Sequence, residues 1–211
     1  ACDCTEERLS KLREEQRLKK QKPMYDGLNR NKNLPLSESS VLRFKFPQEG
    51  SSEFDDLILG NIKINNKEFD DFIILRSDGS PTYNFSAAVD DMDMGITTVI
   101  RGDDHITNTL KQINILKALN VKIPSYAHLP MVLGDSGKRL SKRDGAEDIL
   151  EYKNKGYLQE ALVNYLVRLG WTHGEEEIFS LDQLKEIFKL SDVNSSPAKF
   201  SLDLLDWYNL S

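Results

Sequence analysis

The chain has 211 residues, of which 39% are hydrophobic and 29% charged, and its net charge is −6. This size and composition allow a buried core in one large domain or in two to three small ones. The negative charge argues against a protein that coats nucleic acid indiscriminately, but local clusters of lysine and arginine can still bind RNA. No apolar run approaches the roughly 20 residues that cross a bilayer. We therefore expect a soluble protein without a membrane partner.

The chain starts at Ala1 without a methionine and runs directly into a predicted helix, so we expect an internal piece of a longer protein. Cys2 and Cys4 are its only cysteines, one residue apart, and they cannot build a disulfide framework. The absence of such a framework is typical of a reducing compartment, which predicts the cytoplasm.

The first third of the chain is predicted to be a small α+β module. Thr5, followed by two glutamates, is typical of a helix start, and Pro23 ends that helix after a lysine-rich stretch. Between residues 41 and 76 the pattern changes to short strands separated by turn residues. These strand patterns are VLRFKF, DLILGNIKIN and DDFIILRS.

The middle of the chain predicts a βαβ unit. The β-branched run Ile96–Arg101 suits a buried strand, and an amphipathic helix that ends at Asn120 follows it. The apolar run Leu129–Leu133 is predicted to be the second strand. Because strands joined by a crossover helix run parallel, the predicted fold class is α/β with a parallel sheet.

The last third is predicted to be helical. An amphipathic stripe from Leu158 to Leu169 indicates one helix. Ser180 with Gln183 indicates a capping box at the start of the next helix.

Two strand ends carry candidate chemistry, since ligands bind beyond the carboxyl ends of strands in an open α/β sheet. At the first end, Arg101 beside Asp103 and Asp104 can hold a zwitterion such as an amino acid through charge-assisted hydrogen bonds. These two aspartates can equally serve only as caps of the following helix.

The second strand end leads into a basic loop, Arg139–Arg143, flanked by glycines. Lysine and backbone N–H groups in such a loop can neutralise a triphosphate and a departing pyrophosphate. It is not a Walker A loop, because Gly134 and Gly137 lack the required spacing. By composition alone, an ordinary basic surface turn explains the loop more simply.

The loop sequence RLSKR resembles the Lys-Met-Ser-Lys-Ser signature of class I aminoacyl-tRNA synthetases, in the form typical of the glutamyl enzymes. Other segments resemble bacterial glutamyl-tRNA synthetases in the same order, so that the resemblance covers essentially the whole chain. These segments are Asp78–Phe85, Val89–Asp91, Gly95–Thr97, Val99–His105, Gln112–Ile113, Gly156–Leu158, Asn164–Leu166, Leu169–Trp171 and Glu177–Phe179.

The resemblance implies three parts: an α+β insertion that binds the tRNA acceptor end (1–76), the second half of a Rossmann-type catalytic domain (77–124), and the signature loop with a helical stem-contact domain (125–211). It implies that the full-length protein is a monomeric cytoplasmic enzyme whose substrates are L-glutamate, ATP with Mg²⁺ and tRNA(Glu). The His-x-Gly-His signature and the anticodon-binding region of the family are missing, so we expect this chain to be inactive alone.

The resemblance also implies roles for individual residues. A bidentate arginine at position 101 would reject glutamine, which lacks the second anionic oxygen. By similarity, Tyr83, Arg101 and Asp104 belong to the glutamate site, Met131 and Val132 meet adenine, Lys142 holds the ATP phosphates, and Arg139, Ser141 and Arg143 shape the catalytic loop.

Some relatives hold zinc with a Cys-x-Cys pair and a Cys-x-His pair. Cys2 and Cys4 match the first pair, but Asn29 and Asn31 stand downstream. A structural zinc site requires four thiolate or imidazole ligands, so we expect no metal here.

Three alternatives compete with this interpretation. One is the short relative, glutamyl-queuosine synthetase, that glutamylates a modified tRNA base, and another is a glutaminyl enzyme. The third, from a different class, is a non-catalytic module that binds tRNA or docks onto a partner.

Overall fold

The computed structural model describes residues 1–134, 136–140 and 148–210. Within these ranges the helices are α1 (Glu6–Leu18), α2 (Tyr83–Asp93), α3 (Ile106–Ala118), α4 (Ile149–Asn154), α5 (Gln159–Arg168), α6 (Leu181–Ile187) and α7 (Leu202–Leu210). The strands are β1 (Leu42–Arg43), β2 (Ser51–Asp56), β3 (Gly60–Asn65), β4 (Ile73–Leu75), β5 (Thr98–Gly102), β6 (Ser125–Leu129), β7 (Val132–Leu133) and β8 (Ala198–Lys199).

The chain forms two compact units. The first unit contains residues 1–54, 61–97 and 107–124, and the second unit contains residues 55–60, 98–106 and the chain from 125 onward. The predicted three-part division of the chain stays a prediction. Over the described residues, no helix has the length and apolar character needed to cross a membrane.

The first unit begins with the predicted helix. The Thr5 side chain accepts a hydrogen bond from the backbone N–H of Arg8 at 3.3 Å, which caps α1 as the sequence predicts. Strands β1 and β4 pair antiparallel, with Leu42 opposite Leu75. Helices α2 and α3 close over a core rich in aromatic rings, where burial of apolar surface supplies the main stabilisation. Its buried members are Phe46, Phe72, Ala88, Ile115 and Leu116.

The predicted strand DLILGNIKIN is interrupted in the structure. Strand β2 ends at Asp56, and β3 starts at Gly60, whose φ of +74° favours glycine. The Asp56 carboxylate accepts hydrogen bonds from the backbone N–H groups of Ile58 and Leu59 at 3.0 and 2.9 Å. These bonds stabilise a turn in place of a continuous strand.

The second unit contains the predicted parallel pair. Strand β5 runs parallel to β6, in register from Thr98 opposite Ser125 to Gly102 opposite Leu129. Helix α3 connects the two strands along the chain, so the βαβ prediction is confirmed and the fold is mixed α/β with a parallel sheet. The end of β2 lies parallel to β6 on its other side, where Asp56 is the register partner of Tyr126.

The predicted position of the second strand, Leu129–Leu133, is wrong. The strand that pairs with β5 is β6, which starts at Ser125 and ends before Pro130. Proline has no backbone N–H to donate and commonly ends a ladder. The later residues form the two-residue strand β7, which pairs with β8 instead.

The helices of the second unit pack around two clusters of buried, largely aromatic residues. The first contains Tyr152, Ala161, Tyr165, Leu205 and Tyr208, and the second contains Trp171, Phe179, Leu184 and Val193. The buried Asn164 side chain holds Phe179 through two hydrogen bonds, one to its carbonyl at 3.0 Å and one from its N–H at 2.8 Å. The predicted capping box of Ser180 and Gln183 is confirmed at the start of α6.

A buried ion pair stabilises the first unit. Arg30 and Asp71 form it with side chains only 18% and 6% exposed. Asp71 also accepts from the backbone N–H of Phe46, and Arg30 donates to the carbonyl of the same residue, each at 3.0 Å. Burial raises the pKa of Asp71, while Arg30 opposes that rise.

Replacing Arg30 with Met is expected to lower the free energy of unfolding by about 3–5 kcal/mol, because the change leaves a buried carboxylate without its cation. Urea unfolding of the purified chain measures this. The matched control is Arg13→Met, which breaks an exposed ion pair with Glu6 and is expected to change stability little. Equal losses in the two variants would contradict the assignment.

Candidate active site

The carboxyl end of β5 carries the first predicted cluster. Arg101 is the penultimate residue of β5, and the 3₁₀ turn Asp103–His105 follows directly. Gly102, the residue before this turn, has no side chain to cap it. A Cβ atom at Gly102 would lie 2.7 Å from Oδ1 of Asp104, so a larger residue at this position would require the carboxylate to shift.

Asp104 forms an ion pair with Arg139, a residue of the predicted basic loop. Its Oδ2 accepts a hydrogen bond from Nη1 of Arg139 at 2.8 Å, with the two side chains 30% and 61% exposed. The two charged groups, separated by 35 positions along the chain, therefore meet at one place. The alternative in which Asp104 serves only as a helix cap does not account for this ion pair.

Arg139 lies on a short hairpin that begins in β7. The N–H of Gly134 donates to the carbonyl of Lys138, and the N–H of Leu140 donates to that of Val132, both at 2.8 Å. Val132 also pairs with Ala198 of β8. The hairpin is thereby attached to the helical part of the second unit.

Two successive hydrogen bonds connect Arg101 to the buried residues His128 and Asp56. Nε of Arg101 donates to Nε2 of His128 at 3.3 Å, and Nδ1 of His128 lies 2.6 Å from Oδ2 of Asp56. The side chains of His128 and Asp56 are both 0% exposed. The guanidinium carbon of Arg101 also lies 5.6 Å from the ring centre of Tyr126, within cation–π range.

Asp56 is held as a carboxylate. Burial alone raises its pKa, but hydrogen bonds from the N–H of Leu59, the ring of His128, and the N–H groups of Ile58 and His128 together lower the pKa below its ordinary value. A buried charge is tolerated only when its lone pairs are filled in this way.

The predicted site residues are distributed over both units. Arg101, Asp104, Met131, Val132 and Arg139 belong to the second unit. Their predicted roles, and those of the other site residues, remain predictions.

Tyr83 belongs to the first unit, where it is the first residue of α2 and half exposed. Ser141, Lys142 and Arg143 lie outside the described residues.

Sequence reasoning missed His128 and Asp56 as neighbours of the site. The sequence pattern places Asp56 only at the start of the predicted strand DLILGNIKIN. The signal that links them is the pairing of β6 with the end of β2, which joins residues 72 positions apart and is not visible in a local pattern.

The cysteine pair sits in a thiol cluster of the first unit. The Tyr25 hydroxyl lies 3.5 Å from Sγ of Cys2 and 3.9 Å from Sγ of Cys4, and Nδ2 of Asn29 lies 3.7 and 3.5 Å from the same sulfurs. Burial raises the pKa of Cys2, but hydrogen bonds from Tyr25, Cys4 and Arg43 bring it down to about 7.

This donor set does not fit a structural zinc ion. Two thiols stand with a phenol and an amide, whereas such sites use four sulfur or imidazole ligands. No cluster of three or more His, Cys, Asp or Glu residues suitable for a metal occurs in the part of the chain that the structure describes.

The α/β fold with charged groups at parallel strand ends agrees with the comparison to known families. Residues 1–207 match the family model for tRNA synthetases class I (E and Q), catalytic domain. The chain belongs to this family.

Two individual relatives are similar to nearly the whole chain. The chain is 56% identical over 210 residues to a glutamate–tRNA ligase of Nitrosomonas eutropha, and 57% identical over 209 residues to one of Coxiella burnetii. Each match covers 99% of this chain and 45% of the relative, so the chain spans about half the length of these proteins.

A solved structure is similar over the same extent. It is the crystal structure of a glutamate tRNA ligase from Elizabethkingia meningosepticum in complex with its amino acid. The TM-score is 0.86 at 31% sequence identity, over 99% of this chain and 48% of the other.

The depressed pKa of Asp56 predicts a stability loss in acid. This carboxylate stabilises the fold fully above its unfolded pKa of about 3.9, and the contribution disappears as pH falls through the lower folded value. In urea unfolding between pH 7 and pH 3, the stability difference between wild type and Asp56→Asn should stay constant at first and shrink below about pH 5. A difference that is unchanged at pH 3 would contradict this role.

Proposed function

We propose that the full-length protein containing this chain is a glutamate–tRNA ligase. The observation that carries the proposal is the identity of 56–57% with two glutamate–tRNA ligases over 99% of the chain. The charged strand end that the family uses for an anionic substrate is also present, in Arg101 and Asp104.

The reaction has two steps. The α-carboxylate of glutamate attacks the α-phosphate of ATP, which forms glutamyl-adenylate and releases pyrophosphate. A hydroxyl of the terminal adenosine of tRNA(Glu) then attacks the acyl carbon, and AMP leaves. No covalent bond to protein forms, so positioning and stabilisation of developing charge supply the catalysis.

Arg101 binds the side-chain carboxylate of glutamate in this proposal. A guanidinium matches two carboxylate oxygens, whereas the amide of glutamine offers one oxygen and an N–H₂ group that would face the arginine donors. Tyr83 and Asp104 complete the amino-acid site, and Met131 and Val132 meet the adenine ring.

The contact between Arg139 and Asp104 supports a shared site for ATP and glutamate. Lys142 follows Arg139 by three residues, and a chain of three residues spans at most about 11 Å. The ion pair joins Arg139 to Asp104, in the turn that directly follows Arg101 and β5. Lys142 would neutralise the ATP phosphates, with Mg²⁺, while Ser141 and Arg143 shape the loop.

The same proposal assigns a role to each of the three predicted parts of the chain. Residues 1–76 would cradle the acceptor end, residues 77–124 form the second half of the Rossmann-type catalytic domain, and the helices after the signature loop would contact the tRNA stem. The full-length enzyme would work in the cytoplasm as a monomer.

Charging of tRNA tests the proposal directly. The full-length gene product should attach labelled glutamate to unmodified tRNA(Glu) in the presence of ATP and Mg²⁺, and should attach no glutamine. Transfer of glutamate only to tRNA that carries the modified base would identify the tRNA-modifying relative instead. Tight binding of tRNA without any ATP consumption would identify a non-catalytic module.

Arg101→Ala is expected to raise the KM for glutamate about 100-fold in the full-length enzyme, because it removes charge-assisted hydrogen bonds to the substrate carboxylate. The KM for ATP should change little. Initial rates of tRNA charging at varied glutamate and ATP measure both constants. Lys185→Ala, an exposed change on α6, serves as the control. An unchanged KM for glutamate in Arg101→Ala would rule out this substrate contact.

Lys142→Ala is expected to lower kcat for adenylate formation by roughly 10²–10³-fold, since it removes a charge that stabilises the departing pyrophosphate. Single-turnover formation of glutamyl-adenylate measures the step. Lys153→Ala, an exposed lysine of α4, is the matched control. Equal rates in the two variants would exclude Lys142 from the chemical step.

A further inference from the structure

We propose that His128 is a positioning residue for Arg101: its Nε2 accepts the Nε–H of the guanidinium, and Asp56 holds the imidazole in the tautomer that makes this possible. The inference rests on the proposed function, in which Arg101 binds the side-chain carboxylate of glutamate.

The hydrogen-bonding properties of Arg101 and of Asp56 each assign the same tautomer to His128. Arginine is only a donor, so the Nε2 atom that faces Arg101 at 3.3 Å must present a lone pair. An ionised aspartate is only an acceptor, so the Nδ1 atom 2.6 Å from Asp56 must carry the proton. The two requirements describe the same neutral imidazole.

Asp56 has no alternative arrangement that would relax this assignment. Its Oδ1 accepts from the backbone N–H groups of Ile58, Leu59 and His128 at 3.0, 2.9 and 3.2 Å. The carboxylate is therefore fixed in the plane that directs Oδ2 at the imidazole. With both side chains at 0% exposure, water is not available to replace a lost contact.

The three residues stand on paired strands rather than on loops. Arg101 and His128 are register partners in β5 and β6, and Asp56 ends β2 on the other side of β6. Groups held on rigid elements keep the sub-ångström alignment that a substrate contact needs, which loop residues seldom do.

The contact also determines which edge of the guanidinium receives the substrate. A carboxylate can bind side-on, through Nε and one Nη, or end-on, through both Nη atoms. Because Nε–H is donated to His128, the glutamate carboxylate is received end-on. His128 thus takes part in specificity without touching the substrate.

Three variants of the full-length enzyme separate positioning from a merely structural role. His128→Leu removes the acceptor and should raise the KM for glutamate roughly 10-fold or more, with the KM for ATP unchanged. His128→Gln offers an amide oxygen to Nε–H and should recover much of this loss. His173→Gln, a histidine stacked on Trp171 in the same unit, is the control and should leave both constants unchanged.

Asp56→Asn tests the tautomer itself. The new amide would donate to Nδ1, which moves the imidazole proton to Nε2 and sets two donors against each other at Arg101. We expect a higher KM for glutamate and weaker discrimination against glutamine. The tautomer of wild-type His128 can be read independently from its ¹⁵N chemical shifts, which should show an unprotonated Nε2.

The outcomes distinguish this inference from the proposed function. If Arg101→Ala leaves the KM for glutamate unchanged, the substrate role of Arg101 fails and the inference fails with it. If Arg101→Ala raises that KM but the His128 and Asp56 variants change only thermal stability, the positioning role alone is wrong. A protonated Nε2 in the wild-type spectrum overturns the inference even if the variants do not fold.

Discussion

A carboxylate that is removed from water joins several features of the second unit. Asp56 is fully buried, and a charge in that position is tolerated only because four hydrogen bonds occupy its oxygens. Two of these bonds turn the chain immediately after β2, and the other two hold His128 in β6. One buried charge therefore links a local turn, the pairing of parallel strands and the surroundings of Arg101.

Features set by neighbouring residues were predictable from the sequence. Thr5 caps α1, Asn120 takes a φ of +56° at the end of its helix, and Ser180 forms its capping box with Gln183. Each depends on hydrogen bonds or sterics within a few residues. The position of β6 was not predictable, because Ser125 and His128 interrupt its apolar pattern. The histidine is buried there only because a carboxylate 72 positions earlier satisfies it.

The sequence predicts the positions of individual site residues better than it predicts the contacts between them. The position of Arg101 and Asp104 follows from the rule that ligands lie at the carboxyl ends of parallel strands. The ion pair between Asp104 and Arg139 depends on the hairpin after β7, whose geometry comes from backbone hydrogen bonds that no composition reveals. The role of Tyr83 follows from the resemblance alone, whereas a lysine in the basic loop can neutralise phosphates on chemical grounds.

Gly102 shows how a position without a side chain can restrict natural variation. Its φ of −68° is accessible to every amino acid, so backbone geometry does not demand glycine there. The Asp104 carboxylate lies where a Cβ atom at this position would be, so a larger residue requires that side chain to move. A Gly102→Ala substitution would displace the Asp104 side chain and weaken its ion pair with Arg139. The substitution itself would neither strain the backbone nor remove a functional group. Such a change would avoid this clash only if position 104 carried no acid, because aspartate is already the shortest acidic side chain.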